Sequence, residues 1–360
     1  MTDPLLTERS DGFEYDLRMM CACGEATPLS AAEYEEGSHG ARMACSHCGE
    51  SIHYGPAVAA LRDPADPALD DAALSSFAWY HTSTEPVWPS PNFAVDFVQG
   101  IDDRDLLMPS REAYIAEPTS KALHVGTYEA AIENMLRRMN DELDSHSQFY
   151  LYRVALNLDP TRINDGFRDE NHEIASDITT HELDEQDLLA VRYLNVHEAI
   201  GTLSLAIRPQ AILAVQRIAL PVPRLAMPVD PAIDDGIRQA MTASRRLSDA
   251  ADALPVTPIE RRKMELGMKP DPTGAAKHYR EVRHSYNDAV RRLEQRLEDA
   301  YLPFASALVR RAFTKAAAHW QSDGLEEYVT LYRTLAALVE HAQDVIEEVA
   351  VQGWRRVTAS

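Results

Sequence analysis

The chain has 360 residues, an ordinary apolar content and a net charge of −22, almost all of which lies in residues 1–228. Because basic side chains supply most of the affinity for nucleic acids, this acidity argues against a nucleic-acid partner and favours a basic protein partner. No apolar run could span a bilayer, and residues 1–16 lack the apolar centre of a secretory signal. We therefore expect a cytoplasmic protein of two or three domains without a membrane segment.

The cysteines form two pairs, each followed by a glycine: Cys21 and Cys23, then Cys45 and Cys48. Two thiolate pairs about twenty residues apart can form one tetrahedral zinc site, and the glycines let backbone N–H groups turn toward the sulfurs. Four thiolates leave no open position, so we predict a structural Zn²⁺ in a zinc ribbon over residues 1–56. The alternative, two disulfides, requires an oxidising compartment.

Residues 56–71 are predicted to be a linker, which the prolines of 63–67 stiffen. A central α+β domain is predicted over residues 72–228. Its first strand, over 78–83, is rich in aromatic and β-favouring residues. Residues 92–120 show no regular period, and we predict an irregular loop of the kind that often carries function.

A strand over 122–125 is predicted to lead through Gly126 to Thr127, which caps a helix from 128 to about 139. Such a helix start could hold a phosphate with its free N–H groups. An acidic loop is predicted over 158–187. Further strands are predicted at 148–157, 188–194, 203–207 and 211–220. Arg153 lies in an apolar strand, so it needs a partner, either a pyrophosphate oxygen or an internal ion pair with the acidic loop.

The period becomes helical from residue 230, and we predict an antiparallel helical bundle over residues 229–360. Helices are predicted at 230–254, at 257–267 behind a capping box of Thr257 and Glu260, at 273–301, from 303 to 320, and after a turn at 322–324. The last carries an unbroken heptad of mostly apolar residues from Tyr328 to Val349. We interpret this stripe as packing inside the chain against the 273–301 helix. The alternative is a surface for a second copy or another partner.

Three short motifs of the central domain resemble those of the ADP-ribosyltransferase superfamily, in its diphtheria-toxin and poly(ADP-ribose)-polymerase branch. They cover about the middle third of the chain. The motifs are Tyr80-His81-Thr82-Ser83, then His124-Val125-Gly126-Thr127 before an alanine-rich helix, and Glu198 in the third. In the second motif His124 stands where the family has a stacking aromatic, and Tyr128 follows instead.

The resemblance implies two small, roughly perpendicular sheets that clamp NAD⁺ as co-substrate, and transfer of ADP-ribose to a macromolecule. It implies that His81 holds a ribose hydroxyl and that Glu198 stabilises an oxocarbenium-like ribose. The remaining NAD-binding candidates are Tyr80, Thr82, His124, Gly126, Thr127, Tyr128 and Arg153. The alternative function is a non-enzymatic adaptor whose zinc ribbon and helical bundle bind proteins.

Overall fold

A computed structural model describes residues 3–9, 11–36, 41–54, 58–90, 93–100, 115, 119–142, 144–254, 257–270 and 274–357. Within these ranges the fold is α+β, as the sequence predicts. None of the helices described is both long enough and apolar enough to cross a membrane.

Two small hairpins form the N-terminal segment. Strand β1 (Leu17–Met20) pairs antiparallel with β2 (Ala26–Leu29), helix α1 (Ala31–Glu36) follows, and β3 (Arg42–Ala44) pairs antiparallel with β4 (Ser51–His53). A cysteine pair lies at the turn end of each hairpin. This arrangement is compatible with a zinc ribbon.

The predicted linker is not a free connection where the structure describes it. The Ala60 N–H donates to the Arg18 carbonyl at 2.8 Å, and the Asn171 side chain both accepts from and donates to the backbone of Ala59. These contacts join the predicted linker to the first hairpin and to Asn171 in the acidic region 158–187. The linker therefore packs on both of them.

The described residues of the central segment include the following strands and helices, in chain order. They are β5 (Trp79–Ser83), α2 (Phe93–Gly100), β6 (Leu123–Val125), α3 (Tyr128–Asp141), β7 (Phe149–Leu156), β8 (Arg168–Asp169), α4 (Thr180–Glu185), β9 (Ala190–Leu194), β10 (Leu203–Ile207) and β11 (Ile212–Leu220). The segment 92–120 was expected to be irregular, and this is wrong for α2, because the prolines and aspartates that suggested a loop follow it. Residues 101–114 and 116–118 lie outside the described residues.

The strands form two four-stranded sheets. The first has the order β12-β11-β7-β5, where β12 (Arg355–Arg356) comes from the end of the chain, and the second has the order β6-β10-β9-β8. All pairs are antiparallel except β8 with β9. The sheets meet where Tyr80 and Gly126 exchange two backbone hydrogen bonds of 2.9 Å. A hydrophobic core that includes Trp79, Val154 and Leu205 draws on both sheets.

The C-terminal segment is helical, as predicted. Its helices are α5 (Pro231–Asp252), α6 (Pro258–Glu265), α7 (Ala275–Tyr301), α8 (Ala307–Ala318), α9 (Leu325–Glu340) and α10 (Ala342–Ala350). The predicted capping box is present, since Thr257 and Glu260 bond reciprocally at the start of α6. The heptad helix is not continuous: it is divided at His341, which is non-helical.

The heptad stripe of α9 and α10 is packed inside the chain. Tyr332, Leu335 and Ile346 are buried in the same core cluster as Ile132 of α3 and Leu17 of β1. Helix α9 contacts α7, as we interpreted, and also α3, while α10 packs on β7 and β11. The three predicted segments 1–56, 72–228 and 229–360 therefore share one hydrophobic core.

Candidate functional site

The two N-terminal hairpins bring four sulfur atoms together. The Sγ atoms of Cys21 and Cys48 are 3.7 Å apart, those of Cys23 and Cys45 are 3.8 Å apart, and all four lie within 4.8 Å of one another. A zinc–sulfur bond of about 2.3 Å in a tetrahedron places the sulfurs roughly 3.8 Å apart. The cluster is therefore positioned to hold a metal ion.

The backbone around Cys45 favours its thiolate. The N–H groups of Cys48 and His47 lower the pKa of Cys45 to about 6, and Thr27 donates its hydroxyl to the same sulfur at 3.6 Å. Gly24 and Gly49 have φ angles of 88° and 78°, a left-handed conformation that favours glycine. These turns follow each cysteine pair, where the sequence places the two glycines.

A second group of polar side chains lies where the two sheets meet. His81 of β5 has its Nδ1 2.8 Å from the carbonyl oxygen of His124, and its ring stacks on Trp88 with centroids 4.1 Å apart. Burial lowers the pKa of His81 to about 3, so the imidazole is neutral. Because a carbonyl only accepts, Nδ1 carries the proton and Nε2 is left as an acceptor.

His124 of β6 is the next member of this group. Its Nδ1 lies 3.1 Å from the hydroxyl of Tyr193 on β9, and the two rings meet edge to face. Burial lowers the pKa of His124 to about 4, against an opposing effect of the Glu198 charge. The Nε2 atom is buried, with no hydrogen-bond partner among the described residues. A buried nitrogen in this state is a candidate contact for a ligand.

Glu198 completes the group from the turn after β9. Its Oε1 accepts from Arg137 Nε at 2.6 Å and from Asn134 Nδ2 at 3.1 Å, both on α3. The glutamate side chain is 13% exposed and that of Arg137 is 44% exposed. Burial raises the pKa of Tyr193, and the nearby charge of Glu198 raises it further. We call His81, His124, Tyr193 and Glu198 the junction cluster.

Three other candidate residues are engaged in internal contacts. Tyr80 donates its hydroxyl to Glu8 at 2.5 Å, and Arg153 forms an ion pair with the same carboxylate at 2.6 Å. Thr82 donates its hydroxyl to the carbonyl of Ala131 in α3 at 2.9 Å. Tyr80 and Thr82 point away from His81, because side chains alternate along a strand. The partner of Arg153 is thus Glu8 rather than the acidic loop.

The Gly126–Tyr128 segment begins α3, as predicted. Thr127 caps the helix by accepting from the Ala130 N–H at 3.2 Å. Tyr128 is fully buried and donates its hydroxyl to the carbonyl of Leu338 at 2.8 Å, so its ring lies in the hydrophobic core. The first turn of the helix is buried as well. Of the N–H groups that the sequence suggested for a phosphate, that of Ala130 is taken by the cap.

Sequence reasoning missed Tyr193, Asn134, Arg137 and Trp88. Asn134 and Arg137 are spaced i, i+3 on the predicted helix, and this spacing puts both on one face. Nothing local indicates that this face meets the turn of Glu198, which follows more than fifty residues later. The missing signal is a contact between distant segments.

Glu133 is a buried carboxyl beside the junction cluster. Both its oxygens accept from the hydroxyl of Tyr15 at 3.0 Å, and Oε2 accepts from the Ala199 N–H at 2.8 Å. Burial raises its pKa to about 7. This group therefore changes its charge near neutral pH.

The raised pKa of Glu133 predicts a pH dependence of stability. The folded chain holds this proton more tightly than the unfolded chain, so the stabilising contribution is full below about pH 4.5 and is lost as pH rises through about 7. The shift corresponds to on the order of 3 kcal/mol. We expect the free energy of unfolding in urea to fall from about pH 5 to about pH 8 more steeply in the wild-type chain than in Glu133→Gln. Equal slopes would contradict this assignment.

No family model, no curated protein and no solved structure matches this chain. The functional interpretation therefore depends on the geometry of the two sites.

Proposed function

We propose that the chain cleaves NAD⁺ and transfers ADP-ribose to a macromolecular acceptor, in the manner of the ADP-ribosyltransferases that its motifs resemble. The observation that carries the proposal is the junction cluster. His81, His124 and Glu198 come from three distant segments, yet the His81 ring bonds to the His124 backbone where the two sheets meet, and the charge of Glu198 acts on the His124 ring. Such convergence of neutral histidines and a fixed carboxylate is typical of a binding or catalytic site.

The tautomer of His81 fits a role in binding ribose. Its Nδ1 donates to the His124 carbonyl, so Nε2 can accept a hydrogen bond from a ribose hydroxyl. Since its pKa lies well below neutrality, this acceptor is available across the physiological pH range.

Glu198 would stabilise the positive charge that develops on the ribose. In the proposed reaction the bond from ribose C1′ to nicotinamide breaks, and nicotinamide leaves with the bonding electrons. The acceptor then bonds to C1′ and loses its proton. A carboxylate held by Asn134 and Arg137 is fixed before the reaction, which is the condition for effective electrostatic stabilisation.

Arg137 is a better candidate for the pyrophosphate than Arg153. The Arg153 guanidinium is buried against Glu8, whereas the side chain of Arg137 is 44% exposed beside Glu198. A guanidinium binds phosphate oxygens with paired hydrogen bonds. The ring of Tyr193, within the junction cluster, and the ring of Trp88, stacked on His81, could contact the nicotinamide.

We also propose Zn²⁺ as the metal of the four-cysteine cluster. The sulfur separations match a tetrahedral thiolate site, and all four positions are supplied by protein. Such a closed site would stabilise the N-terminal segment and take no part in the reaction.

The proposal predicts that one variant loses mainly the reaction rate and the other loses mainly NAD⁺ affinity. The assay mixes the protein with a cell extract, which supplies acceptors, and with NAD⁺ that carries a label in its adenylate part. We expect Glu198→Gln to lower label transfer and nicotinamide release by about a hundredfold and to leave NAD⁺ affinity nearly unchanged. We expect His81→Ala to weaken NAD⁺ affinity. The matched controls are His181→Ala and Glu185→Gln, an exposed pair on α4. Wild-type protein without nicotinamide release or label transfer would rule out the reaction.

A second candidate is the non-enzymatic adaptor. Three large apolar side chains in the connection between α5 and α7 are strongly exposed: Ile259, Leu266 and Met268, at 70%, 57% and 72%. A protein partner would bury such exposed apolar side chains. Loss of a partner on Leu266→Ser and Met268→Ser, in a chain that does not bind NAD⁺, would favour this function.

A further inference from the structure

The turn that carries Glu198 is held on both sides by buried or half-buried carboxylates. The N–H of Val196 donates to Glu170 Oε2 at 3.1 Å, and the N–H of Ala199 donates to Glu133 Oε2 at 2.8 Å. Glu198 lies between these two contacts. The backbone on each side of Glu198 is therefore fixed by a hydrogen bond, to Glu170 before it and to Glu133 after it.

The conformation of Ala199 shows that the turn depends on such support. Ala199 is fully buried and has a φ of 43°, a left-handed conformation that residues with a side chain adopt rarely. Conformations of this kind persist where the surroundings hold them. The Ala199 carbonyl also accepts the hydroxyl of Thr202 at 2.8 Å, so the N–H and the carbonyl of Ala199 are both hydrogen-bonded.

Glu133 connects this turn to the side chain that it presents. It directly precedes Asn134, which donates to Glu198, so consecutive residues of α3 bind the turn backbone and the carboxylate. We infer that Glu133 is a positioning residue: by accepting the Ala199 N–H it fixes the Glu198 turn against α3 and so sets the place of the Glu198 carboxylate.

Three side chains act on the Glu133 carboxyl. Tyr15 of the N-terminal segment donates to it; the charge of Arg62 lowers its pKa and the charge of Glu198 raises it. Arg62 also stacks on the ring of Tyr15, with 4.1 Å from its guanidinium carbon to the centroid. Ionised, Glu133 only accepts, which strengthens its bonds from Tyr15 and Ala199.

The expected effect of Glu133 on kcat rests on the proposed NAD⁺ reaction, whereas its effect on the position of the Glu198 turn does not. If Glu133 places Glu198, its loss should lower kcat and leave KM for NAD⁺ within about twofold, since Glu198 acts in the transition state. The kcat of the wild-type chain should rise from about pH 6 to about pH 8, and Glu133→Gln should lack this rise.

The chain offers a matched control on the same helix. Glu129 lies one turn before Glu133 and is also buried, but its carboxylate accepts from the N–H of Gly12. Glu129→Ala therefore removes a buried carboxylate of α3 that binds the N-terminal segment, and it keeps the bond from the Ala199 N–H to Glu133. A general loss of stability would affect both variants alike.

Hydrogen–deuterium exchange of the peptide that covers 196–201 tests the inference in the full chain. We expect exchange at this turn to be about tenfold faster in Glu133→Ala, to return toward the wild-type rate in Glu133→Gln, which keeps an acceptor oxygen, and to stay unchanged in Glu129→Ala.

Two readouts separate the possible failures. Equal acceleration in Glu133→Ala and Glu129→Ala, or none in either, would overturn the positioning role. If Glu133→Ala does not fold, the lost pH response of kcat in Glu133→Gln decides, and its retention overturns the role. A wild-type chain that does not turn over NAD⁺ counts against the proposed function, and the exchange rates still decide what Glu133 does.

Discussion

Replacing Cys45 with serine is expected to abolish metal binding and to unfold the two N-terminal hairpins. Cys45 is 4% exposed, and its sulfur accepts from Thr27 and from the His47 N–H. Structural zinc contributes on the order of 10 kcal/mol to the folding of small metal domains. Because Leu17 and Ile52 of these hairpins share a core with the C-terminal helices, the loss should spread beyond the hairpins.

The measurements are metal content of the purified chain and its thermal unfolding. We expect about one zinc per wild-type chain and a Tm on the order of 10 °C lower in Cys45→Ser. His47→Ala is the matched control, because His47 is exposed and contacts Cys45 through its backbone. A Cys45→Ser chain with full metal content and an unchanged Tm would contradict the zinc assignment.

Replacing Gly126 with alanine is expected to disturb the packing of the second sheet against α3, next to the place where the two sheets meet. A Cβ atom at this position would lie 2.5 Å from Ser204 Oγ and 2.9 Å from Ala130 Cβ, closer than atoms pack. Both backbone groups of Gly126 bond to Tyr80, next to His81. We expect the free energy of unfolding in urea to fall by about 3 kcal/mol, with weaker NAD⁺ binding.

The double variant Gly126→Ala with Ser204→Gly is the control for this prediction. It removes the hydroxyl that the new methyl group meets first and leaves the contact with Ala130. We expect it to regain part of the lost stability. Gly126→Ala with wild-type stability would show that the junction is not closely packed at this position.

The sequence predicted those features of the fold that depend on residues close together in the chain. Four cysteines at metal-ligand spacing indicated their own cluster. Thr127 after Gly126 predicted the start of α3, and Thr257 with Glu260 predicted that of α6. In each case the residues that form the feature are neighbours in the chain, so their spacing carries the information.

Contacts between distant segments could not be predicted in this way. Arg153 required a partner, yet nothing near it indicates Glu8, which lies 145 positions away. Tyr128 follows the helix cap and seemed free to meet a ligand, but Leu338 of α9 accepts its hydroxyl in the core. Nothing near Arg137 indicates its partner Glu198, which belongs to another element.

Calorimetric titration of NAD⁺ into the purified full chain tests the proposed function most directly. The account predicts saturable binding of one NAD⁺ per chain in the wild type, clearly weaker binding in His81→Ala, and wild-type affinity in the exposed-site variant His181→Ala. No heat of binding in the wild-type chain, or identical affinities in His81→Ala and His181→Ala, would contradict a nucleotide site at the junction of the two sheets.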